Sequence, residues 1–208
     1  KSFIMNDWHF SGVSRKFQEA DLCNYIPITY HEGPTIYDRG YTPVDVSFQP
    51  VTGMDKNGFF NISTSNSLSA CVSRNSKIRV VEVNTSLPVC LGGYGESIHI
   101  SDIDYIVESP DNPPPMNLPE LIPTQVDRKI AELILEDMRN GDCIQLGIGG
   151  MPNVVGSLIA NSDLKDLGVH TEMLVDSFVD MYEAGKLTGK YKNINPGKMV
   201  YTFAMGTE

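Results

Sequence analysis

Two short stretches in the second half of the sequence hold residues that could do chemistry. The first is a glycine-rich run, Gly147, Ile148, Gly149, Gly150 and Met151. Glycine lets a ligand approach the backbone closely, and the N-terminus of a following helix adds a partial positive charge, so such a turn suits a phosphate or a developing oxyanion. The spacing fits neither the dinucleotide nor the Walker pattern, and a plain strand-to-helix turn explains it equally well.

The second stretch is His170-Thr171-Glu172. In an extended strand the side chains of His170 and Glu172 point to the same side. Glu172 lies in a stretch typical of an inner strand, where a carboxylate is costly to bury unless it is paired or has a chemical task. The alternatives are an edge strand with a solvated Glu172 and a His170 that is a hydrogen-bonded structural histidine.

The elements that would position these residues alternate between helix and strand. Thr124 can cap a helix that ends at Gly141, and its apolar positions form one stripe: Val126, Ile130, Leu133, Ile134 and Met138. Strands are predicted at 143–146 and 169–174, and helices from Pro152 and over 177–184. This alternation predicts a parallel sheet.

The first half of the sequence is predicted to hold mainly strands. They cover 44–48, 59–63 and 78–83, and the last reads as a strand buried on both faces. A short helix between residues 63 and 76 is a weaker prediction. The segment 108–123 contains six prolines and predicts an extended connector. We therefore expect an N-terminal domain at 1–108, a connector at 109–122 and a second domain at 123–208.

Composition narrows the functional classes. The net charge of −10, from 16 basic and 26 acidic residues, speaks against a nucleic-acid-binding protein, which needs a basic face. The sequence contains no run of 18 apolar residues, so it predicts no membrane span. The four cysteines form no C-x-x-C pair, so we expect buried, reduced thiols and a cytoplasmic location, with a disulfide framework as the alternative.

Several motifs in a consistent order resemble the acetyl-CoA hydrolase/transferase family, which includes butyryl-CoA:acetate and 4-hydroxybutyrate CoA-transferases. In the second half they are 145–152 (QLGIGGMP), 167–173 (LGVHTEM), Gly197-Lys198 and 202–207 (TFAMGT). In the first half they are 25–27 (YIP), Asp45-Val46, 55–59 (DKNGF) and 81–84 (VEVN) followed by Pro88. The likeness covers nearly the whole chain.

The resemblance implies an α/β fold of two CoA-transferase-like units with open, mainly parallel sheets. It implies that Glu172 is the nucleophile and that Gly147 through Met151 contact CoA and the thioester. It also implies a homo-oligomer that acts on an acyl-CoA and a short carboxylate, with CoA as substrate and covalent intermediate and with neither a tightly bound cofactor nor a metal. Members of the family are longer at both ends, so we expect an internal fragment whose two units are incomplete. A hydrolase that uses the same glutamate and a non-catalytic ligand-binding domain are the alternatives.

Overall fold

The computed structural model describes residues 3–93, 95–115 and 122–207. We call residues 3–115 the N-terminal segment and residues 122–207 the C-terminal segment. The described residues form short strands and helices whose sheets are mainly parallel. None of the helices in the described ranges is long and apolar enough to cross a lipid bilayer.

The N-terminal segment contains seven strands and three α-helices in its described part. The strands are β1 (Met5–Asp7), β2 (Cys23–Tyr25), β3 (Val44–Val51), β4 (Phe59–Asn61), β5 (Ser76–Val83), β6 (Ser97–His99) and β7 (Tyr105–Glu108). The helices are α1 (Gly12–Glu19), α2 (Gly33–Asp38) and α3 (Ser69–Arg74), and 3₁₀ turns cover Tyr30–Glu32, Ser63–Ser65 and Ile100–Asp102. The predicted strands are thus confirmed, and the helix expected between 63 and 76 is the short α3.

The main sheet of the N-terminal segment is parallel, in the order β3-β5-β7. One face packs on a small core of Val51, Phe60 and Val81. The prediction that strand 78–83 is buried on both faces is wrong. Because register partners in a parallel pair share a face, Phe48 lies beside Val80, and Phe48 is 77% exposed.

The C-terminal segment alternates helix and strand, as predicted. Its elements are α4 (Gln125–Asp137), β8 (Cys143–Ile144), α5 (Gly150–Ala160), β9 (Gly168–Val169), β10 (Met173–Leu174), α6 (Asp176–Glu183) and β11 (Phe203–Ala204). The pairs β8–β9 and β10–β11 are parallel, and a parallel bridge joins His170 to Val200. The chain at 168–174 therefore lies between β8 and 200–204, as an inner strand and not an edge.

The core of the C-terminal segment is larger than that of the N-terminal segment. Helices α5 and α6 pack over the parallel pairs, and the buried side chains include Ile159, Val169, Phe178 and Met181. Close packing at α5 depends on Gly156, because a Cβ there would lie 2.4 Å from the Ser177 Cβ. Side-chain packing thus holds this segment together although its strands are only two residues long.

Helix α4 differs from its prediction in length and in the face that it buries. Thr124 caps it as expected, in a capping box with Asp127, but the helix ends at Asp137 because Met138 has an extended ψ of 150°. Its buried residue is Ala131, whereas most of the predicted stripe is exposed, as at Val126 and Leu133, and only Met138 packs against the core.

Three further predictions are corrected or fall only partly within the described residues. The strand expected over 169–174 is interrupted at residues 170–172, between β9 and β10. The connector begins after β7 and has no regular structure at 109–115, while residues 116–121 lie outside the described residues. The cysteines are free thiols, as expected, but only Cys23 and Cys71 are buried and Cys143 is exposed.

Candidate functional site

The run 147–151 is a loop between a strand and a helix. It follows β8, and α5 begins at Gly150 with Gly149 as its N-cap residue. Gly149 has φ +137°, a conformation that side-chain-bearing residues rarely adopt, and no side chain caps this helix end. A Cβ on Gly147 would meet nothing within 4 Å, so packing does not require a glycine there. A plain turn explains Gly149 but leaves Gly147 without a structural reason.

Two other residues of the loop face different surroundings. Ile148 is half exposed. A Cβ on Gly150 would lie 3.5 Å from the Asp127 carboxylate, at the capped start of α4. The loop thus lies beside the start of α4, where residues 122–124 enter the C-terminal segment.

Thr171 joins this loop to the strand that carries Glu172. Its buried hydroxyl lies 3.2 Å from the Leu146 carbonyl oxygen and 3.0 Å from that of Met173. Leu146 directly precedes the loop. The backbone N–H of His170 also donates to the Ile144 carbonyl, at 3.1 Å. In parallel strands the carboxyl ends meet at one edge, so the loop and Glu172 belong to the same edge of the sheet.

Glu172 lies at the interruption between β9 and β10, and it is half-buried. Its main-chain carbonyl accepts hydrogen bonds from the N–H groups of Thr202, at 3.0 Å, and Phe203, at 3.2 Å. Its backbone is therefore fixed from the β11 side. Among the described residues, no side chain or N–H group forms a hydrogen bond or ion pair with its carboxylate. The carboxylate is thus unpaired within the described part of the chain, and the residue is only half-buried.

His170 does not assist Glu172 in this structure. Its side chain is exposed, and it forms neither a hydrogen bond nor an ion pair with the Glu172 carboxylate. The backbone of His170 instead holds the inner strand in place. Its N–H donates to the Ile144 carbonyl on one side, and a β-bridge joins it to Val200 on the other.

Lys192 is a buried cation beneath β9 that sequence reasoning missed. Its ammonium group donates to the carbonyl oxygens of Val169, at 2.7 Å, and Lys198, at 2.6 Å. Gly168 makes room for it, since a Cβ there would lie 2.6 Å from Lys192 Cγ. The lysine thus ties the loop at 189–198 to the strand that leads to Glu172. A lone lysine in a polar loop gives no sequence signal for this role.

The N-terminal segment also contacts the strand beside Glu172, and no local sequence pattern predicts this contact. Tyr30 and Ser67 share a short hydrogen bond between their hydroxyl groups, and the Ser67 N–H donates to the Thr202 carbonyl at 3.0 Å. Burial raises the pKa of Tyr30, the hydrogen bond with Ser67 opposes that rise, and the negative charge of Glu172 adds to it. Tyr30 is therefore a neutral phenol within electrostatic range of Glu172.

A second contact lies one residue away. Burial raises the pKa of the Tyr201 hydroxyl, and its hydrogen bond with the Cys90 thiol raises it further. Cys90 is held by Asn61, which accepts from its N–H at 3.0 Å and donates to its carbonyl at 2.9 Å. Both contacts place the N-terminal segment against the chain at 201–202, next to the backbone of Glu172.

Comparison with known proteins identifies the family of this chain. Residues 6–117 match the acetyl-CoA hydrolase/transferase N-terminal domain. The chain is 48% identical over 210 residues to a butyryl-CoA:acetate CoA-transferase of Anaerostipes caccae, covering 99% of this chain and 46% of that protein. It is 45% identical to a probable butyrate:acetyl-CoA coenzyme A-transferase of Syntrophomonas wolfei, again covering 46% of the relative. The chain thus spans about half the length of these relatives.

Solved structures give the same result for the fold. RipA from Yersinia pestis superposes with a TM-score of 0.88 at 30% identity, over 98% of this chain and 48% of that one. A 4-hydroxybutyrate CoA-transferase from Porphyromonas gingivalis gives a TM-score of 0.82 at 27% identity, over 98% and 52% of the two chains. The α/β fold with mainly parallel sheets is therefore shared with these proteins, and the chain belongs to the acetyl-CoA hydrolase/transferase family.

Proposed function

We propose that the protein containing this chain transfers CoA from a short-chain acyl-CoA to a short carboxylic acid, with Glu172 as the nucleophile. One observation carries the proposal. Glu172 is half-buried and lies on an inner parallel strand. The hydroxyl of its neighbour Thr171 hydrogen-bonds to the carbonyl of Leu146, which directly precedes the loop 147–151. Ligands of open α/β sheets bind at this edge of the sheet. The names of the relatives supply the class of reaction, with butyryl-CoA and acetate as the first substrates to test.

The first half of the reaction moves CoA from the acyl group to Glu172 by way of an anhydride. A carboxylate oxygen of Glu172 attacks the thioester carbonyl carbon, the C–S bond breaks, and CoA leaves as a thiolate. The thiolate sulfur then attacks the side-chain carbonyl carbon of Glu172. The anhydride C–O bond breaks, the original acyl group leaves as a carboxylate, and the enzyme retains a glutamyl–CoA thioester. A covalent nucleophile divides one difficult exchange into easier steps.

The second half runs the same steps in reverse with the incoming acid. Its carboxylate attacks the glutamyl thioester, and the returning thiolate takes the acyl group and frees Glu172. Each step passes through a tetrahedral oxyanion. We assign its stabilisation to backbone N–H groups of the loop 147–151. These groups lie at the start of α5, and a helix N-terminus favours the negative charge of the oxyanion. CoA is thus a substrate and a covalent intermediate, not a resident cofactor.

We extend the proposal to the organisation of the protein. Residues 1–108 and 123–208 belong to two CoA-transferase-like domains joined by the connector at 109–122, and the enzyme is a cytoplasmic homo-oligomer. Free thiols at Cys23 and Cys71 support a reducing compartment. The separate cores of the two segments, around Val81 and around Phe178, support the division.

Intact mass measurement tests the proposal. A polypeptide of the relatives' length that contains this chain is mixed with butyryl-CoA, and we expect a covalent CoA adduct that borohydride reduction places on Glu172. CoA release is then followed with and without acetate. Acetate-dependent formation of acetyl-CoA supports transfer, and equal CoA release without acetate identifies a hydrolase. The absence of any adduct would indicate a non-catalytic ligand-binding protein.

A further inference from the structure

Ser67 connects the N-terminal segment to the backbone of Glu172. Its N–H donates to the Thr202 carbonyl oxygen at 3.0 Å, and the Thr202 N–H donates to the Glu172 carbonyl oxygen at 3.0 Å. Two backbone hydrogen bonds in series therefore separate Ser67 from the peptide group of Glu172. A displacement of Ser67 would move the segment that holds Glu172 from the β11 side.

Ser67 occupies a backbone conformation that needs outside support. Its φ is 39°, and Ser63 in the same segment has φ 62°, although neither is glycine. Such conformations persist only where surrounding contacts hold them. The side-chain oxygen of Asn66, between them, is buried without a hydrogen-bond partner among the described residues. The segment 63–67 is thus held in place by its neighbours and not by its own preferences.

Tyr30 is the side chain that holds Ser67. Its hydroxyl forms the short hydrogen bond with Ser67 Oγ. The tyrosine is itself fixed, because its ring packs edge-on against Trp8 at 5.2 Å between centroids. It also begins the 3₁₀ turn at 30–32, which a capping box between Thr29 and Glu32 stabilises. Burial and the charge of Glu172 raise the pKa of Tyr30, so its hydroxyl keeps its proton.

We propose that Tyr30 is a positioning residue for the acyl transfer: through Ser67 and Thr202 it holds the backbone of Glu172 where the attack requires it. This inference rests on the proposed function. In the described structure the hydroxyl of Tyr30 does not hydrogen-bond to the Glu172 carboxylate, so its effect passes through the backbone. The rate of an attack between bound groups depends steeply on their placement, and a displacement of about 1 Å can cost on the order of 10²-fold.

The test is a double-mutant cycle in the full-length polypeptide. Tyr30→Phe keeps the ring against Trp8 and removes only the hydroxyl, and Ser67→Ala removes the other half of the same hydrogen bond. We expect each variant to lower kcat and the rate of CoA-adduct formation at Glu172 by about tenfold, with KM for acyl-CoA changed less than about twofold. The double variant should be no slower than either single one, because all three lack the same contact.

Tyr37→Phe is the matched control. Tyr37 is also half-buried with a pKa raised by burial, but it lies in α2 and forms no hydrogen bond with Ser67. We expect wild-type kcat from this variant. A Tyr30→Phe enzyme with kcat within twofold of wild type would overturn the inference, as would losses that multiply in the double variant. Since adduct formation is measured per folded molecule, a lower melting temperature alone does not mimic the effect.

The same experiment separates the inference from the function on which it rests. If the wild-type protein forms no adduct with butyryl-CoA, the proposed function fails. If the wild type and Tyr30→Phe form the adduct at equal rates, the function stands and only the role of Tyr30 is overturned.

Discussion

The two segments are organised by different forces. In the N-terminal segment the parallel strands β3 and β5 are eight residues long, but the buried core cluster under them consists of only Val51, Phe60 and Val81. In the C-terminal segment the paired strands are two residues long, yet twelve buried side chains form its core. Backbone pairing dominates the first segment, and side-chain packing dominates the second.

This difference explains where the candidate site lies. A regular ladder binds every backbone group of an inner strand to its neighbours, which leaves little freedom to reorient a side chain. Where packing carries the stability, a strand can be interrupted, as it is at residues 170–172 between β9 and β10. The less regular segment therefore carries Glu172, and the regular one contributes the outer contacts at Tyr30 and Ser67.

The largest effect is expected from Glu172→Gln. An amide cannot form the acyl anhydride, so kcat for CoA transfer should fall at least about 10³-fold. The carboxylate has no ion pair in the described structure, so the melting temperature should change by less than about 2 °C, as a surface substitution would. Glu183→Gln, at an exposed position on α6, is the control and should retain activity. Near-normal transfer by Glu172→Gln would refute the proposed role.

A smaller loss of activity is expected from Gly147→Ala. The added methyl group meets nothing within 4 Å, so the fold should tolerate it, but it projects from a loop that we assign to the thioester. We expect kcat/KM to fall about tenfold at an unchanged melting temperature, by analogy with other displaced oxyanion donors. Gly149→Val is a poorer test because φ +137° makes any side chain strained there.

Gly12→Ala is the control for Gly147→Ala in the N-terminal segment. A Cβ on Gly12 also meets nothing within 4 Å, and the residue begins α1. It should leave kcat/KM unchanged. If Gly147→Ala lowers the melting temperature as much as it lowers activity, the loop is a structural turn and not a ligand site.

Stability should depend more on close packing in the C-terminal segment. Gly156→Ala would place its Cβ 2.4 Å from the Ser177 Cβ, which lies on α6 and cannot easily move. We expect a loss of about 1–3 kcal/mol in the free energy of unfolding, typical of an overpacked core. Gly33→Ala instead meets the flexible end of Leu68 at 2.7 Å, so its loss should be less than half as large. Chemical denaturation of both variants measures the difference, and equal losses would contradict it.

The smallest effect is expected from pH on an exposed ion pair of the N-terminal segment. Hydrogen bonds from Arg74, followed by one from Asn75, lower the pKa of Asp38. A lowered carboxyl pKa stabilises the fold above the ordinary Asp value of about 4, and that contribution disappears as pH falls through the lowered value. Asp38→Asn should therefore lower the melting temperature slightly at pH 7, and the difference from the wild type should shrink as pH falls below about 4. A constant difference at all pH values would contradict this reading.

Much of the fold could be predicted from local patterns. The cap at Thr124, the strands predicted at 44–48 and 78–83, and the glycine loop before α5 follow from residue types within a few positions of one another. The candidate site, Glu172 and the loop 147–151, likewise rests on contiguous motifs. The exposed face of α4 could not be predicted in this way, because periodicity shows that a helix has an apolar side without showing what covers it.

The family resemblance, the candidate nucleophile and the alternation of helix and strand follow from the sequence alone, because each depends on neighbouring residues and backbone preferences. The break in the inner strand at Glu172, and the contact of Tyr30 with it through Ser67 and Thr202, depend on the tertiary structure. Tyr30 and Ser67 are both more than 100 positions from Glu172 in the sequence. Contacts over such separations depend on how whole elements pack, and no local pattern in a single sequence encodes that packing.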